Sequence, residues 1–544
     1  MTDQTRSRGA RDAEDFDVII AGAGFSGLYL LHRLRDQLGL KVAVFEAGSS
    51  VGGTWYWNRY PGARCDSTSQ VYQFWFSEEV LDEWRWKERF STQGQMLEYF
   101  EFVVDRCDLR RDIRFEARVN SATFDEEARQ WTVTTEQGAT VRGRYFISAV
   151  GSLTEPLTPD IPGLETFGGT QYHTSRWPHE AIDFSGQRVG VLGTGATGIQ
   201  VVQTLAPQVE HLTVFQRTPN YVIPMRNAML GELDWQSFQQ NRERIRQLTE
   251  HSSYGFDYDN EGELAQDWDA ATMEAELEKL WADGSLRFWN GSYADALLPG
   301  RFNDFISDFA RRKMRAAIKD PAKAALAVPD YPFAAKRVPL EKGYLDALNQ
   351  SNVDLVCLRK TPLQHFTPEG VSTAEQDYPL DAMIFATGFD AVTGALLAMN
   401  IRGGQGQLLK DVWAGGARAY LGTQTPGFPN FFMVSGPTAP SAAFCNVPAC
   451  LYDQIDFITS CIEHMQNRGL SRIEATPAAE DAWIEHVNEE VEQTVLVGLD
   501  SWWMGTNVPG KQRQVLSYIG GRLAFREHCQ NSARDGYAGF DLRQ

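Results

Sequence analysis

Along residues 16–27, FDVIIAGAGFSG, a short apolar run stops at a cluster of glycines, and Leu28, Leu31, Leu34 and Leu38 then recur at helical spacing. The run KVAVFE at 41–46 restores strand character, so the pattern predicts a strand, a tight turn, a helix and a second strand. The same order returns at 188–217, where RVGVLGTGATG leads through IQVVQTLA to LTVFQR. Two βαβ units in tandem give an α/β fold class with two Rossmann-like dinucleotide-binding domains. Between them, residues 121–151 alternate strand-like runs with turn residues, as a small antiparallel sheet does. From 222 to 330 the spacing turns helical and glycines become sparse, which predicts a helical insertion. Strand character resumes from 331 through DLVCLRK and the apolar run DAMIFATGFD, and the stretch after 450 is helical, then aromatic-rich.

Composition narrows the chemistry. Hydrophobic residues make up 43% of the 544, enough for several cores. No window reaches the 18 or so consecutive apolar residues of a membrane span. Residues 1–15 form a polar, disordered tail without the apolar core of a signal peptide, so a cytoplasmic location is expected. With 51 Lys plus Arg against 71 Asp plus Glu, the net charge of −20 repels phosphate backbones and anionic headgroups. Neither nucleic acid nor membrane is expected as a partner, and no obligatory protein partner is evident. Seven cysteines without a C-x-x-C speak against a disulfide framework and a dithiol redox centre, and predict reduced packing thiols. Nine scattered histidines show no ligand spacing, and no metal is expected.

The first fingerprint, Gly22-x-Gly24-x-x-Gly27, follows a strand and opens a helix, which places pyrophosphate on the helix N-terminus. Glu46 stands nineteen residues beyond Gly27, where an acid accepts a ribose 2′-hydroxyl. In the second fingerprint, Gly193-x-Gly195-x-x-Gly198, the same offset falls on Arg217. An acid repels a 2′-phosphate and a guanidinium binds one, so the first site suits FAD or NAD and the second NADPH. Two dinucleotides in one chain imply hydride transfer from NADPH to a flavin. The expected division is an FAD-binding domain over 16–152 and 389–544, an NADP-binding domain over 153–221 and 331–388, and the insertion over 222–330.

Phe167 to Pro178 has the form F-x-G-x-x-x-H-x-x-x-W-P, and Gly52-Gly53-Thr54-Trp55, Tyr60-Pro61-Gly62 and Asp66 form a second block. Together they resemble the type I Baeyer–Villiger monooxygenases, closest to the phenylacetone and steroid monooxygenase branch. The resemblance spans roughly residues 16–540. It implies that NADPH reduces FAD, that oxygen adds to give a flavin peroxide anion, and that this anion converts a ketone into an ester or lactone. The ending Trp177-Pro178 favours ketone oxidation over the related N-hydroxylating enzymes.

By the same resemblance Arg337 is the catalytic arginine, Asp66 orients it and meets the nicotinamide, and His173 organises domain motion. The implied FAD contacts are Ser26, Glu46, Thr54, Trp55, Tyr56, Asp66, Tyr72 and the backbone of Val119, with Gly22, Gly24 and Gly27. For NADP they are Arg64, Cys65, Gly193, Thr194, Gly195, Thr197, Gly198, Gln200, Arg217, Thr218, Lys336, Arg337 and Trp502. The block SWWMGTNVPGK departs from the family in Trp503 and Thr506. Ala442, Ala443, Phe444 and Asn446 fall in the segment expected to line the substrate pocket, and the small residues there suggest a bulky, cyclic or long-chain ketone. Alternatives are sulfide or amine oxygenation by the same flavin and, more remotely, a nucleotide-sensing protein without turnover.

Overall fold

A computed structural model describes residues 14–259, 264–441 and 444–544. Strand Glu14–Ala21 pairs in parallel with Val42–Phe45 on one side and with Thr140–Ser148 on the other. It starts inside the expected tail, because Glu14 and Asp15 already pair with Val141 and Arg142. The strands expected as a separate antiparallel sheet are part of this same sheet. Val119–Asp125 and Gln130–Thr135 pair antiparallel and continue into the first half of Thr140–Ser148. That half alternates buried and exposed residues, whereas the second half, paired in parallel on both edges, is buried throughout. Covering by helices on both faces explains the switch of pattern within one strand.

The second sheet is wholly parallel, in the order Val353–Cys357, His211–Gln216, Arg188–Leu192, Ala382–Phe385 and Thr170–His173. Its outer strand carries the middle of the F-x-G-x-x-x-H block. His173 sits at that strand's end, where its imidazole meets Ser175, Leu157 O and Thr387 and so ties the connecting chain to the end of the neighbouring strand. Burial lowers its pKa. Helices Glu232–His251, Ala270–Asp283 and Arg301–Ala317 fill the region between 222 and 330. Among the described residues no helix is long and apolar enough to cross a membrane.

The thiol expectation needs one correction. Cys445 and Cys450 are joined, with Cα atoms 6.4 Å apart, while the other five cysteines are free. The chain turns into helix Val447–Asn467 between them, and that turn, invisible in the spacing, brings the two sulfurs together.

Arg522, 3% exposed, locks the insertion to the C-terminal part. Its guanidinium donates through Nε and Nη2 to both oxygens of Asp453, at 2.7 and 3.0 Å. Nη1 donates to the carbonyls of Thr249 and Glu250, which end helix Glu232–His251 and lack helical partners. Removing one member of a buried pair strands the other charge in the interior. Arg522→Met is expected to destabilise the protein by about 3 kcal/mol, read as a lower urea midpoint at unchanged slope. A midpoint equal to the wild type would show that Arg526, 2.8 Å from Asp453, suffices.

Candidate active site

Both glycine turns are built by the same collision. Gly22 has φ +105°, and a Cβ there would lie 2.5 Å from the Ala149 carbonyl oxygen. Gly193 has φ +111°, with a Cβ 2.5 Å from the Ala386 carbonyl oxygen. A side chain is excluded at each, and the turn leads straight into helix Phe25–Leu31 or Ala196–Leu205. Gly27 and Gly198 pack those helices on the turns, since a Cβ would meet Gly22 O or Gly193 O at about 2 Å. Backbone N–H groups at both helix starts thereby stay open to a phosphate.

The residues after the second strands differ in charge as the sequence requires. Glu46 is 3% exposed and accepts from Ala23 N–H and Gly48 N–H, both at 2.7 Å. Burial raises its pKa, against the pull of these two donors. Arg217 is exposed and has no carboxylate partner among the described residues. Beside it Lys336 donates to Asp500 O. Burial, and then the neighbouring Arg217, lower the Lys336 pKa to about 8. Two cations side by side, with only the Asp500 carboxylate pulling the Lys336 pKa back up, make a place for a dianion.

Between the folds lies a cavity of about 870 Å³ lined by both turns. The Tyr60-Pro61-Gly62 loop crosses to the second fold by close approach: a Cβ on Gly62 would strike Thr204 Oγ1 at 2.1 Å. Gln200 then reads the loop backbone, accepting from Arg64 N–H (3.3 Å) and from the Tyr60 hydroxyl (3.0 Å), and donating to Arg64 O (3.0 Å). Arg64 itself pairs with Glu88 at 2.6 Å. Arg337 donates through Nη1 to Asp66 Oδ2 at 2.9 Å. Asp66 is 7% exposed, and burial raises its pKa while Arg337 pulls it down. Burial likewise raises the Cys65 thiol and the Tyr72 phenol, so neither supplies an anion here.

The residues present fit a flavin dinucleotide. Asp66 Oδ1 and Trp55 Nε1 are buried at the cavity wall without a hydrogen-bond partner. Gly24 meets Gly53 backbone to backbone, leaving the turn clear of side chains. On the second side Ser501 Oγ, Trp503 Nε1 and Asn507 Oδ1 are also unpaired at the wall.

Ser26, Thr54, Tyr72, Val119, Arg64, Cys65, Gly195, Thr197 and Trp502 line the cavity with those already placed. Gly27, Gly193 and Gly198 shape the turns from behind. Tyr56 turns away and hydrogen-bonds Ser49. Thr194 donates to Thr218 O, which braces the second turn behind the wall. Ala442 and Ala443 lie outside the described residues. Phe444 packs 5.0 Å from Trp503, and Asn446 spends its amide on Val71 O and Gly255 O. The wall there is made instead by Cys445, Val447 and Leu451. Sequence reasoning missed Phe256, Leu286, Trp289 and Asn290 of the insertion, whose helical spacing looks like ordinary core. Of the two departures, Trp503 is buried wall, and the Thr506 hydroxyl closes its loop by bonding Ser501 N–H and Ser501 O.

The family model for flavin-binding monooxygenase-like proteins matches residues 16–232. Acetone monooxygenase (methyl acetate-forming) of Gordonia sp. (strain TY-5) is 42% identical over 97% of this chain and 99% of that protein. Phenazine N-monooxygenase of Lysobacter antibioticus is 38% identical over 98% of each. Among solved structures, the OTEMO complex with FAD and NADP superposes with a TM-score of 0.93 at 39% identity, covering 97% of this chain and 99% of that one. With both fingerprints, the Phe167–Pro178 block and this full-length similarity, the chain belongs to the flavin-binding monooxygenases, within the Baeyer–Villiger group.

Proposed function

We propose that this protein uses NADPH and dioxygen to convert a ketone with a substantial apolar body, bulky, cyclic or long-chain, into the ester or lactone. The observation that carries the reading is the Arg337–Asp66 pair, set where the cavity joins both glycine turns. The apolar body is supported by the wall of buried Phe256, Leu286, Trp289 and Leu451 with partly buried Val447. FAD, on the first turn with Glu46 at its ribose, supplies when bound and reduced the electrons that activate dioxygen. Ser26, Thr54, Trp55, Tyr72 and Val119 hold that group, and Asp66 and Trp55 offer it their unpaired polar atoms.

Arg337 has the catalytic role. Its guanidinium presents fixed donors to negative charge as it develops on the substrate carbonyl oxygen, with no reorganisation at that moment. Asp66 holds the guanidinium in place and, with one oxygen still free, reaches the nicotinamide side. Arg217 and Lys336 bind the 2′-phosphate of NADPH, and Trp502 covers the cofactor. Heteroatom oxygenation is the second reading, favoured by the similarity to an enzyme named for N-oxygenation.

Lys336 must be protonated to meet the phosphate, and protonation is lost as pH rises through its lowered pKa of about 8. The value of kcat/KM for NADPH is therefore expected to fall above that pH. Lys336→Ala should lose this fall and about tenfold or more in kcat/KM, and NADH, lacking the phosphate, should show a flat profile. A steady NADPH profile across the range removes Lys336 from the phosphate site.

Arg337→Ala is expected to keep oxidising NADPH while ester formation drops by about 100-fold or more, measured by product mass spectrometry beside NADPH consumption. Normal ester yield would end the assignment of Arg337. A wild-type protein that oxygenates a thioether and no ketone would establish the second reading.

A further inference from the structure

The insertion contributes Phe256, Leu286, Trp289 and Asn290 to the cavity wall, and Asn290 alone of these four is polar. It is 7% exposed. Its backbone N–H is satisfied by Leu286 O at 2.8 Å, but its carboxamide has no hydrogen-bond partner among the described residues. Nearby asparagines are used differently. Asn303 donates to Ala296 O (2.6 Å) and Phe333 O (3.1 Å), and Asn446 to Val71 O (2.9 Å) and Gly255 O (3.0 Å). Those amides hold the fold together. The Asn290 amide is spent on nothing and opens into the cavity.

Building on the ketone reading, we propose that Asn290 is a specificity-determining residue that selects ketones carrying a second, uncharged hydrogen-bonding group remote from the reacting carbonyl. A hydroxyl, a further carbonyl or an amide on the substrate meets the carboxamide, which both donates and accepts. A purely hydrocarbon ketone of the same shape displaces water from the amide and leaves it buried and unpaired. Sites of this kind reject the analogue lacking the polar group more strongly than an apolar pocket rejects a missing methylene. The carboxamide is uncharged and the other three residues that the insertion gives to the wall are apolar, so a neutral polar group suits this position better than a charged one.

The test compares benzylacetone with its ortho-, meta- and para-hydroxylated derivatives as substrates of the flavin-loaded enzyme. Ester formation gives kcat/KM for each, and the ratio of hydroxylated to parent ketone within one preparation cancels any loss of active protein. The wild type is expected to favour at least one hydroxylated isomer by about tenfold or more. In Asn290→Leu that ratio should fall to near unity, and Asn290→Ala, which adds no bulk, should lose it as well. Ratios unchanged in both variants, or a wild type without preference for any isomer, overturn the proposal. Absence of ester from all four ketones in the wild type, with NADPH still oxidised, overturns the ketone reading beneath it.

Discussion

An ion pair between the buried Asp66 carboxylate and the partly exposed Arg337 guanidinium joins the two nucleotide folds at the cavity. Asp66 comes from the loop after the first βαβ unit and Arg337 from the chain returning out of the insertion, and they meet at 2.9 Å inside the cavity. Such a pair contributes little net stability, because desolvation offsets the attraction. What it does secure is position, since a buried carboxylate that lost its guanidinium would be stranded. Gln200 and Gly62 bring the same loop against the helix of the second fold. The site is thus assembled from parts that are complete only when both folds are docked.

The fold class was legible because its determinants are backbone collisions, and only glycine answers them. At Gly22 and Gly193 a Cβ would meet a carbonyl oxygen of an adjoining strand at 2.5 Å, so two distant segments obey one steric rule. Less was legible where one strand serves two environments: Thr140–Ser148 is parallel to Glu14–Ala21 along its length, while its other edge pairs antiparallel at the start and parallel at the end, and alternation reports only the first half. The cysteine contact and the first strand's early start were hidden for a similar reason, since both depend on chain turns and pairings that no local pattern encodes.

At the site, charge proved more informative than hydrophobicity. Glu46 and Arg217 stand at equal offsets with opposite charge, and the structure places both at the cavity. The apolar wall left no such signature. Phe256, Leu286 and Trp289 are buried side chains among many, and whether a buried face looks at core or at cavity is decided by tertiary packing. Phe444 and Asn446 show the converse, lying in the expected segment yet facing protein. Alternate residues of a chain entering a helix point in different directions, so Cys445 and Val447 reach the cavity where their neighbours do not.

The electrostatics carry one further consequence. The chain bears a net charge of −20, which by itself would repel a trianionic or tetraanionic nucleotide. Arg217, Lys336 and Arg337 nevertheless lie along one cavity, and Lys336 is already driven toward neutrality by burial and by Arg217. A bound phosphate reverses that pressure, because an adjacent anion favours the ammonium that burial disfavours. On the proposed reading, NADPH binding and proton uptake at Lys336 are coupled. On that reading the phosphate supplies counter-charge to Arg217 and Lys336, an attraction that NADH, lacking the phosphate, does not make.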